Sequence, residues 1–291
     1  MARPGTGGGS GAGPSGVDSI RSAQMEMYEV KEQVGKGSFG NAFLVIHRET
    51  QQKMVMKKVR LARQTEAQRK ASFREMELVQ GLNHPFVVRC HDAWVERGHT
   101  ICVVYGYCDA GDLASFLQRK AKGKSLLPEE QTRKWCAQMA LGLEYLHSHN
   151  ILHRDLKSSN IFLTSSGDLQ IGDFGLAKVL DAGETATSIV GTPNYMCPEL
   201  LSEKPYDFKC DIWSLGCILY ELTALRPAFS AFNMQGLVTK IKKAQFPPLP
   251  AGYCAEWGSM VKSMIRRSPE ERPSVSELTK LQFMHESYQA A

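Results

Sequence analysis

No pair of cysteines in this 291-residue chain has the C-x-x-C spacing of a zinc or redox site, although eight are present, at 90, 102, 108, 136, 197, 210, 217 and 254. Several lie inside apolar runs and read as reduced, buried thiols of an intracellular protein. Long apolar runs are lacking as well. The richest, Ile212 to Leu225, is too short to span a bilayer and carries Glu221. The N-terminus, Met-Ala-Arg-Pro followed by glycine and serine, has no apolar core of the kind a secretion signal needs. These absences exclude a membrane association and point to the cytoplasm. Charge of one sign is also scarce: 35 basic against 30 acidic side chains leave +5, with no concentrated stripe to argue for nucleic acid. At 43% apolar and 22% charged, the composition is that of a soluble globular chain, of a length suited to one large or two coupled domains.

What is present is unevenly distributed. Residues 1–16 hold seven glycines, two prolines and two serines, too little apolar area to offset ordering entropy. Residues 1–27 are therefore read as a flexible leader, with the ordered chain starting near Tyr28. From there β-type runs dominate: Tyr28–Val34, Asn41–His47, Met54–Val59 and Thr100–Val104. Between the last two, Thr65-x-x-Gln68 has capping-box form and predicts a helix running to Gln80. The basic cluster from Lys57 to Arg74 reads as a solvated face plus one functional lysine. After Asp112 the pattern turns helical. Pro128 suits the first position of a helix whose apolar face is Trp135, Met139, Leu143 and Leu146. Ile212 to Leu222 is apolar nearly all round and predicts a buried central helix. Further helical patches cover 234–244, 255–265 and 274–281. No internal repeat is visible.

Gly35-Lys36-Gly37-Ser38-Phe39-Gly40 fits G-x-G-x-x-G, a weak signal alone. A dinucleotide fold needs a helix directly after the glycines. Here Asn41 to Ile46 reads as a strand, so the glycines belong to a β-hairpin able to lie over a nucleotide. Lys57 stands 17 residues beyond Gly40, at the end of Met54-Val55-Met56. Surface snorkelling is the ordinary reading of such a lysine; behind a glycine-rich hairpin it suits phosphate oxygens, with Glu75 preferred over a solvent-facing Glu77 as its carboxylate partner. The strongest segment is His153-Arg154-Asp155-Leu156-Lys157-Ser158-Ser159-Asn160, three charges and an amide set between apolar residues, where charge is costly without partners or substrate. Asp173-Phe174-Gly175 follows 13 residues past Asn160. An Asn and an Asp brought together suit a hard, oxygen-liganded cation such as Mg²⁺.

These segments, at these spacings, resemble a eukaryotic protein kinase over roughly residues 28 to 285. The resemblance implies an α+β, bilobal fold: a small β-rich lobe with one key helix over 28–105, a larger helical lobe over 106–285, and a short tail over 286–291. It implies ATP and Mg²⁺ (Mn²⁺ as an alternative) as cofactors and protein serine or threonine hydroxyls as substrates. Val34, Gly35, Lys36, Gly37, Ser38, Phe39, Gly40 and Ala42 would cover the nucleotide. Lys57 would hold its α- and β-phosphates and pair with Glu75. The hinge would be Tyr105, at the gatekeeper position, with Gly106 and Cys108 meeting the base and Asp112 near the ribose. Asp155 would receive or orient the hydroxyl proton, Lys157 would neutralise the γ-phosphate, and Asn160 and Asp173 would hold the metal. Thr192 would bond the Asp155–Lys157 pair, Glu199 would pair with Arg272, and Asp211 would tie the central helix to the catalytic loop.

Lysine two residues after Asp155 resembles serine/threonine kinases, not tyrosine kinases. Asp173 to Lys178, Gly191 to Glu199, Asp211 to Cys217 and Leu219 to Phe229 resemble the NIMA-related kinases, and Lys58 to Thr65 with Gly106-Tyr107-Cys108 is similar to their plant and algal branch. That family implies work in microtubule organisation, cilia or cell-cycle progression, and a cytoskeletal, ciliary or nuclear site within the cell. Ser188 is the first candidate regulatory phosphosite, with Thr187 and Thr185 behind it. Neither a nucleic-acid partner nor an oligomer is implied. Two rivals are a catalytically dead kinase-like scaffold, opposed by the joint presence of Lys57, Asp155, Asn160 and Asp173, and a dinucleotide-binding oxidoreductase, opposed by the strand after Gly40.

Overall fold

Alternation of apolar residues with a period of two organises the first part of the chain. The computed structural model describes residues 24–36, 40–61, 66–123, 125–173 and 193–291, without the side chains of 67, 68, 71, 72, 74 and 75. Five strands, β1 (Tyr28–Lys36), β2 (Gly40–His47), β3 (Lys53–Arg60), β4 (Cys90–Glu96) and β5 (Thr100–Gly106), form one sheet in the order β1-β2-β3-β5-β4. β1 and β2 are antiparallel, with Gly35 opposite Ala42 and Lys36 opposite Asn41. The glycine-rich segment thus joins two strands. β2 and β3 are antiparallel too, with Ala42 opposite Lys57.

One face of this sheet is a core of Tyr28, Val45, Met54, Met56, Trp94, Cys102 and Val104, against which Met25 and Phe43 pack. Tyr28 and Trp94 stack with ring centroids 5.8 Å apart. Since Met54, Met56, Cys102 and Val104 share that face, the pleat turns Lys57 and Tyr105 to the other one. Ala42, paired with Lys57, lies there as well. Among the described residues, Met25, three positions ahead of Tyr28, already packs against this core. β4 was not foreseen: Cys90-His91-Asp92-Ala93-Trp94-Val95-Glu96 mixes polar and apolar residues too evenly to stand out.

The described residues divide into two compact units, the first within Met1–Gln64 and His91–Tyr105, the second within Thr65–Cys90 and Gly106–Ala291. The second unit is mainly helical: α1 (Glu66–Gln80), α2 (Leu113–Lys122), α3 (Glu129–Ser148), α4 (Lys209–Ala224), α5 (Met234–Lys242), α6 (Ala255–Met264), α7 (Val275–Leu278) and α8 (His285–Gln289). α1 begins at Glu66; Thr65 lies outside the described residues, as does the Gln68 side chain. Trp135, Met139, Leu143 and Leu146 of α3 are all buried, as their spacing predicts. Pro128 stands one position outside α3 and not at its first residue, because its ψ of 142° is extended. α4 buries almost its whole circumference, from Cys210 to Thr223.

A short hairpin, β6 (Ile161–Leu163) and β7 (Leu169–Ile171), sits against α3. The Trp135 indole donates to the Gly167 carbonyl at 3.0 Å, and Gln138 bonds both the Leu169 amide and the Asp168 carboxylate, at 2.9 and 2.7 Å. On its other side β7 pairs with residues 86–88, Ile171 N donating to Phe86 O and Val88 N to Ile171 O, each at 2.8 Å. The hairpin is thereby fixed directly ahead of Gly172 and Asp173. Among the described residues, no helix is long and apolar enough to cross a membrane.

Candidate active site

The segment 153–160 is built around a carboxylate from elsewhere in the chain. Asp211, in the first turn of α4, where the helix dipole favours an anion, is fully buried. Its Oδ2 accepts from the His153 amide at 2.8 Å and lies 2.9 Å from His147 Nε2; its Oδ1 accepts from the Arg154 amide at 2.9 Å. Those amides belong to a loop with no helix or strand partner of its own, so the carboxylate does what a backbone ladder would otherwise do. Arg154 has φ of 66°, and Asp173 φ of 56°, both left-handed and uncommon for residues with a side chain. The Arg154 guanidinium lies over the Tyr206 ring, 6.0 Å from its centroid.

His153 links the two halves of the site. Its ring is buried, with Nδ1 accepting from the Asp155 amide at 3.3 Å and Nε2 facing the Gly172 carbonyl at 3.0 Å. One nitrogen must accept and the other donate, which selects the tautomer with hydrogen on Nε2. Gly172 N in turn donates to the Asn160 carbonyl at 2.9 Å. A Cβ on Gly172 would fall 2.7 Å from the Phe162 ring and 3.0 Å from Val88, so only glycine fits between these contacts. By this route Asn160 and Asp173 are held on adjoining backbone.

Asp155 is the open end of the network. Lys157 Nζ donates to its Oδ2 at 2.8 Å, while Asn160 Nδ2 donates to its carbonyl at 2.8 Å and reaches the same Oδ2 at 3.3 Å. Its side chain remains 45% exposed, so a second group can approach the carboxylate. Asn160 is buried and spends its amide nitrogen on Asp155; among the described residues its Oδ1 accepts no hydrogen bond, which leaves a neutral oxygen donor. That oxygen and the Asp173 carboxylate fit the hard-oxygen chemistry of Mg²⁺, a cation that takes few protein ligands and completes its shell with water and phosphate.

Glu199 and Arg272 form a bidentate pair at 2.6 and 2.8 Å. Burial pushes the Glu199 carboxyl up, but the Arg272 guanidinium outweighs it and holds the group below its ordinary range. Arg272 also donates to the carbonyls of Arg266 and Lys209, both in the second unit, and lies over Trp213.

In the sheet unit, Ala42, Lys57 and Tyr105 share the face opposite the core. A Cβ on Gly40 would sit 2.1 Å from the Lys58 carbonyl, so this glycine is required by the close approach of β3 whatever else it does. Val34, Gly35 and Lys36 close β1. Gly37, Ser38 and Phe39 lie outside the described residues, as do Thr192, Ser188, Thr187 and Thr185. Glu75 lies on α1 with its side chain outside the description, and Glu77 is exposed. The Gly106 amide is taken by the Arg89 carbonyl at 3.0 Å, and the Cys108 carbonyl accepts from Gly111 at 3.3 Å.

Two features escaped the sequence reading. Asp112 caps α2: its Oδ1 accepts from the Ser115 amide at 2.8 Å and its Oδ2 from the Ser115 hydroxyl at 2.7 Å. The second is a partly buried hydrogen-bonded chain of Ser158, Tyr195 and Glu221. Tyr195 donates to Glu221 Oε2 at 2.5 Å, and Ser158 Oγ lies 2.8 Å from the Tyr195 hydroxyl. With the phenol proton given to Glu221, Ser158 supplies the hydrogen of the second bond. Burial pushes the Glu221 carboxyl up, and it pushes the Tyr195 phenol up further with help from the Glu221 charge. Ser214 adds a bond to the Tyr195 carbonyl at 2.9 Å. The segment 193–195 is thus tied to the loop 153–160 and to α4. Glu221, a lone charge in an apolar run, was the available signal.

The pattern of the protein kinase domain family matches residues 28–284. The chain is 51% identical over 256 residues to the rice serine/threonine-protein kinase Nek3 (Oryza sativa subsp. japonica), a match covering 88% of this chain and 43% of that protein. It is 45% identical over 260 residues to rice Nek6, covering 89% and 48%. To mouse Nek4 (Mus musculus) it is 41% identical over 252 residues, covering 86% and 32%. The chain spans less than half the length of these curated relatives.

Proposed function

The chain belongs to the protein kinase domain family, with the NIMA-related (Nek) kinases as its relatives, and on that premise we propose that it transfers the γ-phosphoryl group of ATP to serine and threonine hydroxyls of proteins. The observation that carries this reading is the half-exposed Asp155 carboxylate, bonded by Lys157 and Asn160 on a loop whose backbone is pinned by Asp211. Asp155 receives or orients the proton of the incoming hydroxyl, a task that needs an ionised oxygen open on one side. Lys157 stands beside it with a positive charge for the γ-phosphoryl oxygens. Asn160 Oδ1 and the Asp173 carboxylate would hold Mg²⁺, or Mn²⁺ in its place, which when bound neutralises charge on the phosphates. Lys57, paired with Glu75, takes the α- and β-phosphates; Val34, the glycines 35, 37 and 40 with their neighbours Lys36, Ser38 and Phe39, and Ala42 cover them. Backbone groups of Gly106 and Cys108 would meet the base beside the Tyr105 gatekeeper, and Asp112 would lie near the ribose.

Lysine at 157 favours serine and threonine over tyrosine. Work in microtubule, cilium or cell-cycle control, at a cytoplasmic, cytoskeletal or nuclear site, follows from the NIMA-related resemblance. Ser188, with Thr187 and Thr185 behind it, is the proposed regulatory site, where a phosphate could pair with Arg154; Ser188→Ala should lower turnover several-fold, and an unchanged turnover number refutes the assignment. The function is tested by incubating the wild-type chain and a mixed protein substrate with γ-³²P-ATP and Mg²⁺, then separating the phosphoamino acids. Label on serine and threonine is the expected result. No label above background supports the scaffold reading, label on tyrosine refutes the specificity, and thermal stabilisation by NAD but not by ATP–Mg²⁺ supports the oxidoreductase.

A further inference from the structure

Residues 84–88 run between α3 and β7, and one ring fixes where they begin. His84 Nδ1 accepts from the Phe86 amide at 3.2 Å, a contact that needs a bare Nδ1 and therefore a neutral ring with its hydrogen on Nε2. The ring stacks on Tyr145 of α3 with centroids 4.9 Å apart, and the Tyr145 hydroxyl accepts from the Asn83 amide at 2.9 Å. Further along, the same strip carries β7. Gln170 Nε2 donates to the Pro85 carbonyl at 2.9 Å, Ile171 N to Phe86 O and Val88 N to Ile171 O, the last two at 2.8 Å. The strip has no slack towards α3, because a Cβ on Gly142 would fall 2.8 Å from the Phe86 carbonyl oxygen. Gly172 and Asp173 follow Ile171 directly, with Asp173 held at φ of 56°.

On the phosphoryl-transfer reading above, we propose that His84 is a positioning residue for that reaction. Its neutral ring clamps residues 85–88 onto β7 and so keeps Asp173 in place; protonation of the ring opens the clamp. A protonated ring carries hydrogen on both nitrogens, so the amide of the buried Phe86 loses its acceptor and meets a second donor. Few titratable groups face this ring. Tyr145 lies against it from α3, and His149, at the end of that helix, touches Tyr145 in turn with centroids 4.4 Å apart. β7 contributes the uncharged Gln170, and the strip itself the Phe86 ring at 5.6 Å. Burial alone pushes the His84 imidazole below its ordinary 6.5, with no charged neighbour contributing. The clamp is therefore whole above pH 6.5 and is lost as the pH falls through the lowered value.

The test pairs two variants with a measurement on the wild-type chain. His84→Asn keeps an acceptor, since an asparagine side-chain oxygen reaches the amide two residues on, but it does not titrate. His84→Phe keeps a ring against Tyr145 and has no acceptor. In γ-³²P transfer assays between about pH 7.5 and 5, wild type should lose about five-fold more turnover than His84→Asn. His84→Phe should be several-fold slow throughout that range. In ¹⁵N-labelled wild type without nucleotide, the amide shifts of Phe86, Val88 and Ile171 should titrate together with the His84 ring; in His84→Asn they should not. The proposal is overturned by the same acid decline in wild type and His84→Asn, by wild-type turnover in His84→Phe, or by an Ile171 shift that ignores His84. The shift measurement needs neither phosphoryl transfer nor a folded variant. A chain whose amides follow His84 yet transfers no phosphate would refute the proposed activity and leave the coupling of His84 to β7 in place.

Discussion

Two aspartates shape the segment 153–160, and their surroundings differ throughout. Asp211 is fully buried and accepts from two backbone amides with His147 at a third position, these three contacts all inside 3 Å. Asp155, on the loop itself, keeps 45% of its side chain in solvent and shares one oxygen between Lys157 and Asn160. The same functional group is an anchor where its lone pairs are used up and dry, and under the proposed function it is the reagent where one side is left open. Burial with saturation fixes the backbone; partial saturation leaves room for a substrate proton.

Substitutions at and around the two aspartates should have unequal effects. Asp211→Ala removes the acceptor of two buried amides, each costing about 1–3 kcal/mol when orphaned. Unfolding in urea should show about 2–5 kcal/mol lost, together with most of the transfer activity. A variant as stable as wild type would show that the loop holds itself. Ser158→Ala should be milder: about 1 kcal/mol for one hydrogen bond, with peptide KM raised and ATP KM unchanged, because Ser158 braces the loop against Tyr195 and not against nucleotide. Equal changes in both KM values would place Ser158 among general stabilisers.

The smallest effect lies at the β6–β7 turn. The Lys134 ammonium, with Ser166 and Gln138, holds the Asp168 carboxyl down to about 2. A carboxyl lowered in the folded state stabilises it above the ordinary value of 3.8 and loses that contribution as pH falls towards 2. Since Asp168 and Lys134 are both more than a third exposed, solvent screens the pair and the gain is modest. The melting temperatures of wild type and Asp168→Asn should differ by a few degrees at pH 5 and converge only as the pH falls through about 2; a constant gap would mean that charge plays no part.

What the sequence made legible was what its motifs concentrate locally. The strand after Gly40, the α3 face and the loop 153–160 each announce themselves within a short window. The unit containing α2 was harder, because Asp112 was read for its chemistry and its capping bonds to Ser115 look like any polar contact in sequence. β4 lacked clean alternation. The Ser158–Tyr195–Glu221 chain joins residues far apart, and no local pattern states that a partly buried acid in α4 will meet a hydroxyl from residue 195. Glu221 was visible as an oddity in an apolar helix, but only the fold names its partners.

The account turns on Asp155 as the group that acts and not one that merely supports. The direct measurement is γ-³²P transfer by Asp155→Asn beside its melting temperature, since asparagine keeps the size and the hydrogen-bond acceptor of the side chain while removing its charge. The account predicts transfer reduced about 10²–10⁴-fold with melting within about two degrees of wild type. Transfer at the wild-type rate, or a loss of transfer accompanied by unfolding, would contradict it.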